Sequence, residues 1–220
     1  MAKKLIIPSL LSANVLRLEE EIQQLIACGL TMVHLDVMDN HYVPNLTFGP
    51  AVAFQLHKTF PNLKIDVHLM ASPVDDLIVA FAKAGATRIS IHPEACLHLD
   101  KSLALIKSLG CQAGLAINPA TSTDCLTWCA HHLDFVLVMT VNPGFGGQTL
   151  IPEVVPKIQK IHQQYPHLTR CVDGGVQLDN IRELSLAGAD EFIMGSALFQ
   201  SADYSKTLDL LNQHLSHPLS

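Results

Sequence analysis

The sequence predicts an α/β fold, a (β/α)8 (TIM) barrel occupying residues 1–220 as a single domain. Three observations carry that reading: short apolar runs recur at even spacing, stretches of helical periodicity separate them, and polar residues gather at the downstream ends of the runs.

Taken in order, the first run is Leu5 to Leu10, followed by helical spacing at Leu18, Ile22, Leu25 and Ile26 and a C-cap at Cys28-Gly29. Met32 to Val37 and Lys64 to Leu69 are the second and third strands. A helix with Leu77, Ile78, Phe81 and Ala82 on one face ends at Ala84-Gly85, before the fourth strand, Thr87 to Ile91. Leu103, Ile106 and Leu109 mark a further helix stopped at Gly110, ahead of Gln112 to Ile117. Phe135 to Thr140, Thr169 to Asp173 and Glu191 to Met194 complete eight runs, with a helix end at Ala187-Gly188 between the last two. Eight strand-helix units in 220 residues lie near the lower size limit of a closed barrel. A doubly wound open sheet is the alternative. It is disfavoured because Ser9, Asp36, His68, His92, Asn118, Asn142, Asp173 and Ser196 fall at or just past successive strand ends, which surround one mouth only if the sheet closes.

Hydrophobic residues make up 49% of the chain and charged residues 15%, which suits a sheet covered by helices. The net charge of -6, without a Lys/Arg cluster, argues against nucleic acid or an anionic membrane as partner. Neither a signal peptide nor a membrane span is legible, and the expected location is cytoplasmic. The scattered Cys28, Cys96, Cys111, Cys125, Cys129 and Cys171 read as reduced, buried thiols. Cys125, Cys129, His131 and His132 could be zinc ligands, but the CxxC pair usual in structural zinc sites is missing.

Two strands carry ligand-type side chains at a spacing of two, which places them on one face: His34, Asp36 and Met38, then Asp66, His68 and Met70. His34, Asp36 and His68 can approach one another on neighbouring strands, and Asp173 can reach them from across the mouth. Two His and two carboxylates suit one divalent transition metal (Zn, Fe, Mn or Co) better than calcium or magnesium, and no organic cofactor is expected. Met38, Met70 and Met139 would shield a developing carbanion without donating a proton. The loop Asn142-Pro143-Gly144-Phe145-Gly146-Gly147-Gln148, with Gly174-Gly175 and Gly195-Ser196, has the glycine content of an anion cradle built from backbone amides. It is not a Walker A loop, for no Gly-Lys-Ser/Thr follows.

The motifs Pro8-Ser9-Leu10-Leu11-Ser12-Ala13, His34-Leu35-Asp36-Val37-Met38-Asp39, Asp66-Val67-His68-Leu69-Met70, Val138 to Gly147 and Val172-Asp173-Gly174-Gly175 resemble the ribulose-phosphate 3-epimerase family over nearly the whole chain. That resemblance implies interconversion of D-ribulose 5-phosphate and D-xylulose 5-phosphate in the pentose phosphate pathway through a cis-enediolate. It implies His34, Asp36, His68 and Asp173 as metal ligands, with Asp36 and Asp173 also as the catalytic acid/base pair. Ser9 and His68 would contact the sugar and the three methionines would cap it. Gly144, Phe145, Gly146 and Gly147, with Gly174, Gly175, Gly195 and Ser196, would surround its phosphate. One departure is Asn40, where the pattern has Gly; Asn tolerates positive φ, so the turn is expected to survive. A 3-epimerase of a related ketohexose 6-phosphate, such as allulose 6-phosphate, is the alternative substrate reading. Exposed apolar helix faces leave homo-oligomers open.

Overall fold

The computed structural model describes residues 4–216. Its strands are β1 (Leu5–Pro8), β2 (Met32–Met38), β3 (Lys64–Met70), β4 (Arg88–Ile91), β5 (Gln112–Ile117), β6 (Phe135–Met139), β7 (Thr169–Asp173) and β8 (Glu191–Met194). All pair in parallel, in the order β1-β8-β7-β6-β5-β4-β3-β2. A parallel bridge between Ser9 and His34 joins the two ends, so the sheet closes into a barrel rather than presenting an open edge.

Helices α1 (Leu18–Ala27), α2 (Pro50–Thr59), α3 (Asp75–Lys83), α4 (Leu99–Ser108), α5 (Val155–Gln164), α6 (Ile181–Leu186), α7 (Ser196–Phe199) and α8 (Tyr204–Ser216) cover the outside. Each presents the apolar stripe its spacing dictates: Ile22 and Leu25 of α1, Ile78 and Phe81 of α3, and Leu103 and Ile106 of α4 are buried against outward-facing strand residues such as Val33, Val67 and Ile89. Gly29, Gly85, Gly110 and Gly188, the four predicted C-caps, all adopt positive φ.

The strict strand-helix alternation fails once. Between β5 and β6 the described chain forms two 3-10 turns, Thr123–Leu126 and Ala130–His132, and no α-helix. This segment opens on Asn118-Pro119, and Ser122 caps its first turn by accepting from the Asp124 amide (3.2 Å). Proline and short hydroxyl side chains satisfy the backbone locally and stop a helix from propagating. Leu126 and Cys129 of this segment are buried in the core and cover that side in place of a helix.

A second apolar cluster fills the lower barrel: Ile7, Met32, Ala116, Phe135, Leu137, Met139, Cys171 and Ile193. These are the inward members of the period-two pattern, so the barrel is packed below and open only at its upper rim. In the β2–α2 loop, Asn40 sits at φ 58 as the sequence required, with its amide bonded to Asn45 O (2.8 Å). Asp39 Oδ1 accepts from the amides of His41 and Tyr42 (2.8 Å each), so an Asx turn does the work expected of Gly at position 40.

Candidate active site

β2 and β3 pair in register, His34 beside Asp66 and Asp36 beside His68, so one level of the barrel holds both an aspartate and a histidine from adjacent strands. His34 Nε2 lies 3.4 Å from Asp36 Oδ1 and 3.9 Å from Asp173 Oδ2. His68 Nδ1 lies 3.3 Å and 3.8 Å from the same two oxygens. One ligand atom from each of His34, Asp36, His68 and Asp173 falls within 4.8 Å of the others. Ligands about 2.0–2.1 Å from a tetrahedral cation stand about 3.4 Å apart, so the observed spacing fits an ion at their centre.

The polar partners of these groups reinforce that fit. His34 Nδ1 lies 2.7 Å from Asp66 Oδ2, which assigns its proton to Nδ1 and turns the Nε2 lone pair inward. His34 Nε2 is fully buried and has no hydrogen-bond partner, an orphan of the kind that a cation satisfies. His68 Nε2 lies 2.8 Å from His92 Nε2, leaving His68 Nδ1 directed at the aspartates. Ser9 Oγ donates to Asp36 Oδ2 (2.6 Å), so Asp36 has one oxygen tied back and one facing the cluster.

The two aspartates differ electrostatically. Burial alone would raise Asp36, but His34 and His68 beside it outweigh this and hold its carboxyl well below the usual carboxylate range. Asp173 is pushed up to about 7 by burial and by the neighbouring charge of Asp36, against the opposing pull of His34. Burial opposes protonation of His34, yet Asp36 and Asp66 raise it well above an ordinary histidine. Burial lowers His68.

Above this floor lies a cleft. Ser9, Met38, Met70 and Met139 line it alongside Asp36 and Asp173, and so do Gly144, Phe145, Gly146, Gly147, Gly174, Gly175, Gly195 and Ser196. Thus every sequence-predicted site residue reaches the cleft except His34 and His68, which lie fully buried in its floor. None of the described lining residues is Lys or Arg, so an anion in the cleft would meet backbone amides and glycine edges. Gly175 shows why glycine is needed: its φ is +65, and a Cβ there would come within 2.4 Å of the Leu150 amide nitrogen.

Several expectations change. Asp66 does not join the ligand group; it lies a level lower, behind His34. His92 faces His68, and Asn118 Nδ2 donates to Tyr42 Oη (2.9 Å), so both build the wall and not the cleft surface. The zinc reading of Cys125, Cys129, His131 and His132 fails: Cys129 Sγ donates to Cys125 O (3.2 Å), while both histidines turn towards Asp100. Sequence reasoning gave no role to Leu11, Ser12, Val141 and Gln177, which also line the cleft from segments that carry no periodic signal. Among the described residues no helix is long and apolar enough to cross a membrane.

Residues 5–199 match the model of the ribulose-phosphate 3 epimerase family. The chain is 47% identical to the ribulose-phosphate 3-epimerase of Escherichia coli K12, with 98% of each covered. It is 49% identical to that of Serratia marcescens, over 94% of this chain and all of the relative. The solved structure of 3-hexulose-6-phosphate synthase from Salmonella typhimurium superposes with a TM-score of 0.68 at 16% identity, covering 96% of this chain and 98% of that one, a likeness of fold alone. With a matched family model and relatives near half identity along almost its whole length, the chain belongs to the ribulose-phosphate 3-epimerase family.

Proposed function

We propose that this epimerase inverts C3 of D-ribulose 5-phosphate, reversibly giving D-xylulose 5-phosphate, with Asp36 and Asp173 exchanging the C3 proton on opposite faces of the sugar. The observation that carries this reading is the convergence of those two carboxylates, from strands on opposite sides of the barrel, on one buried histidine pair at the floor of the cleft.

C3 lies next to the ketone, so its proton is weakly acidic, and inversion needs a base on one face and an acid on the other. Two carboxylates whose environments pull them apart, one held ionised and the other near neutrality, are suited to those two roles and exchange them when the reaction reverses. A divalent transition metal held by His34, Asp36, His68 and Asp173 would supply Lewis-acid stabilisation of the negative charge developing on the substrate oxygens. Ser9 steadies Asp36 through its 2.6 Å hydrogen bond and stands at the cleft wall where a sugar hydroxyl would pass. Met38, Met70 and Met139, all nearly inaccessible to solvent, present polarizable surfaces that keep water from the reacting carbon without offering it a proton. The phosphate end belongs with the amides of 144–147, 174–175 and 195–196, across the cleft from the methionines of β2 and β3.

In this reading residues 1–220 work as one barrel domain, in the cytoplasm and in the pentose phosphate pathway. Turnover of ribulose 5-phosphate, followed as xylulose 5-phosphate, set beside turnover of allulose 6-phosphate, followed as its own six-carbon C3 epimer, tests it. Turnover favouring the pentose is expected; preference for the hexose would transfer the same machinery to the other substrate.

Cation binding is expected to be pH-dependent. Without a cation, Asp173 holds its proton below about pH 7 and His34 stays imidazolium to higher pH than an ordinary histidine; to act as ligands, Asp173 must lose its proton and His34 the one on Nε2. Affinity for Zn2+ or Co2+ should therefore fall as pH drops below 7, by about tenfold per unit for each proton displaced. Chelator competition at pH 6 and pH 8 checks this, and equal affinities would contradict it.

A further inference from the structure

A charged chain runs through the otherwise apolar lower barrel. Arg88 projects inward from β4 and is only 2% exposed. Its Nη2 donates to Asp66 Oδ2 (2.9 Å), Nε lies 2.8 Å from Asp66 Oδ1, and Nη1 donates to Glu191 Oε2 (2.6 Å) on the far side of the barrel. The guanidinium carbon sits 4.4 Å from the centroid of the Phe135 ring. Gly114 makes room for that ring, for a Cβ at 114 would come within 2.2 Å of Phe135 Cζ. Asp66 is 1% exposed, and the same Oδ2 that takes the Arg88 hydrogen bond also faces His34 Nδ1 at 2.7 Å.

A buried arginine is costly to desolvate and this one touches no part of the cleft, so neither solubility nor sugar contact accounts for it. Its guanidinium does one thing a hydrophobic side chain could not: it holds Asp66 by a hydrogen bond to Oδ2 and a close charge contact to Oδ1. Asp66 in turn fixes the tautomer and the ring angle of His34, whose unpartnered Nε2 points at Asp36 and Asp173. A carboxylate behind the imidazole also makes that nitrogen a stronger donor to a cation.

We infer that Arg88, clamped by Glu191 and stacked on Phe135, is a positioning residue that acts through Asp66 to hold His34 Nε2 in place for the divalent cation. The inference rests on the cation-binding reading of the four-residue cluster. Arg88 touches neither substrate nor ligand atom; its effect is carried by two buried contacts in series.

The test measures Co2+ affinity of the purified full chain by chelator competition, with the visible absorption of the bound ion as a second readout. Arg88→Met and Asp66→Asn are each expected to weaken Co2+ binding about 10–100-fold, the range for removing a partner behind a metal-bound histidine, and to shift the Co2+ bands. KM for ribulose 5-phosphate at saturating Co2+ should stay within about twofold of wild type, because the cleft wall is unchanged. Glu191→Gln keeps an acceptor for Nη1 and should bind Co2+ like wild type. If Arg88→Met does not fold, the charge-balanced double variant Arg88→Met with Glu191→Met replaces it, and Asp66→Asn stands as an independent arm. A role in core packing alone would lower the melting temperature and leave the affinity and spectrum of the folded protein unchanged, which would overturn the inference. Wild-type protein that takes up no Co2+ would overturn the cation reading and this inference together; wild-type uptake with unaltered variants overturns this inference alone.

Discussion

Asn in place of Asp36 or Asp173 is expected to abolish epimerisation while the barrel stays folded. In the proposed scheme each substitution removes a proton-transfer group, worth about 10²–10⁴-fold in rate by itself, and also one of the four ligand-type side chains. The two variants should differ in stability, and the signs follow from their surroundings. Asp173 is raised to about 7, so its contribution is fully present below its unfolded value and is lost as pH rises through 7. At pH 8 the cation-free wild type therefore carries a cost that Asp173→Asn lacks, and the variant should melt at the same temperature or higher. Asp36 is depressed, so its contribution is present above its unfolded value and disappears only in acid. Asp36→Asn should accordingly melt lower at pH 8. Rate measurements beside thermal melts at that pH check both halves; wild-type turnover in either variant would refute the two-carboxylate scheme.

Exhaustive chelation is expected to be comparably severe. With a Lewis acid contributing several kcal/mol to stabilising charge on the substrate oxygens, and tenfold in rate for each 1.4 kcal/mol, its removal should slow turnover by about 10³-fold or more. Zn2+, Fe2+, Mn2+ or Co2+ should restore activity, because the cluster mixes two imidazoles with two carboxylates. Ca2+ and Mg2+, which favour all-oxygen surroundings, should restore it poorly. Full activity in rigorously metal-free protein would remove the cation from the reaction.

Most of the barrel was legible because its signals are local. The apolar runs at Gln112, Thr169 and Glu191 became β5, β7 and β8 with their predicted bounds, and the remaining strands differ by a residue or two at their ends. The first run ends at Pro8 and turns into a 3-10 helix where Ser9 caps the Leu11 amide, a competition between strand and turn that periodicity does not register. The connection from β5 to β6 departs from eight strand-helix units for a related reason: Pro119 and the Thr-Ser-Thr stretch close the backbone locally.

Within the site, spacing drew His34, Asp36, His68 and Asp173 together, as the structure does, but it gave Asp66 no place. β2 reads His-x-Asp and β3 reads Asp-x-His, so in-register pairing sets Asp66 beside His34, one level below Asp36. Only the register, a tertiary fact, makes one a ligand-type group and the other its support. Arg88 and Glu191 left a fainter sign, single charges on the inward phase of buried strands, whose meaning depends on their meeting across the barrel.

The most direct test of two aspartates acting on opposite faces of one carbon is solvent-deuterium exchange at C3, followed by NMR in cation-loaded Asp36→Asn and Asp173→Asn. Each variant keeps one of the two proton-transfer groups, so one should label only the ribulose epimer and the other only the xylulose epimer, with no net inversion by either. Labelling of the same epimer by both variants would contradict the account.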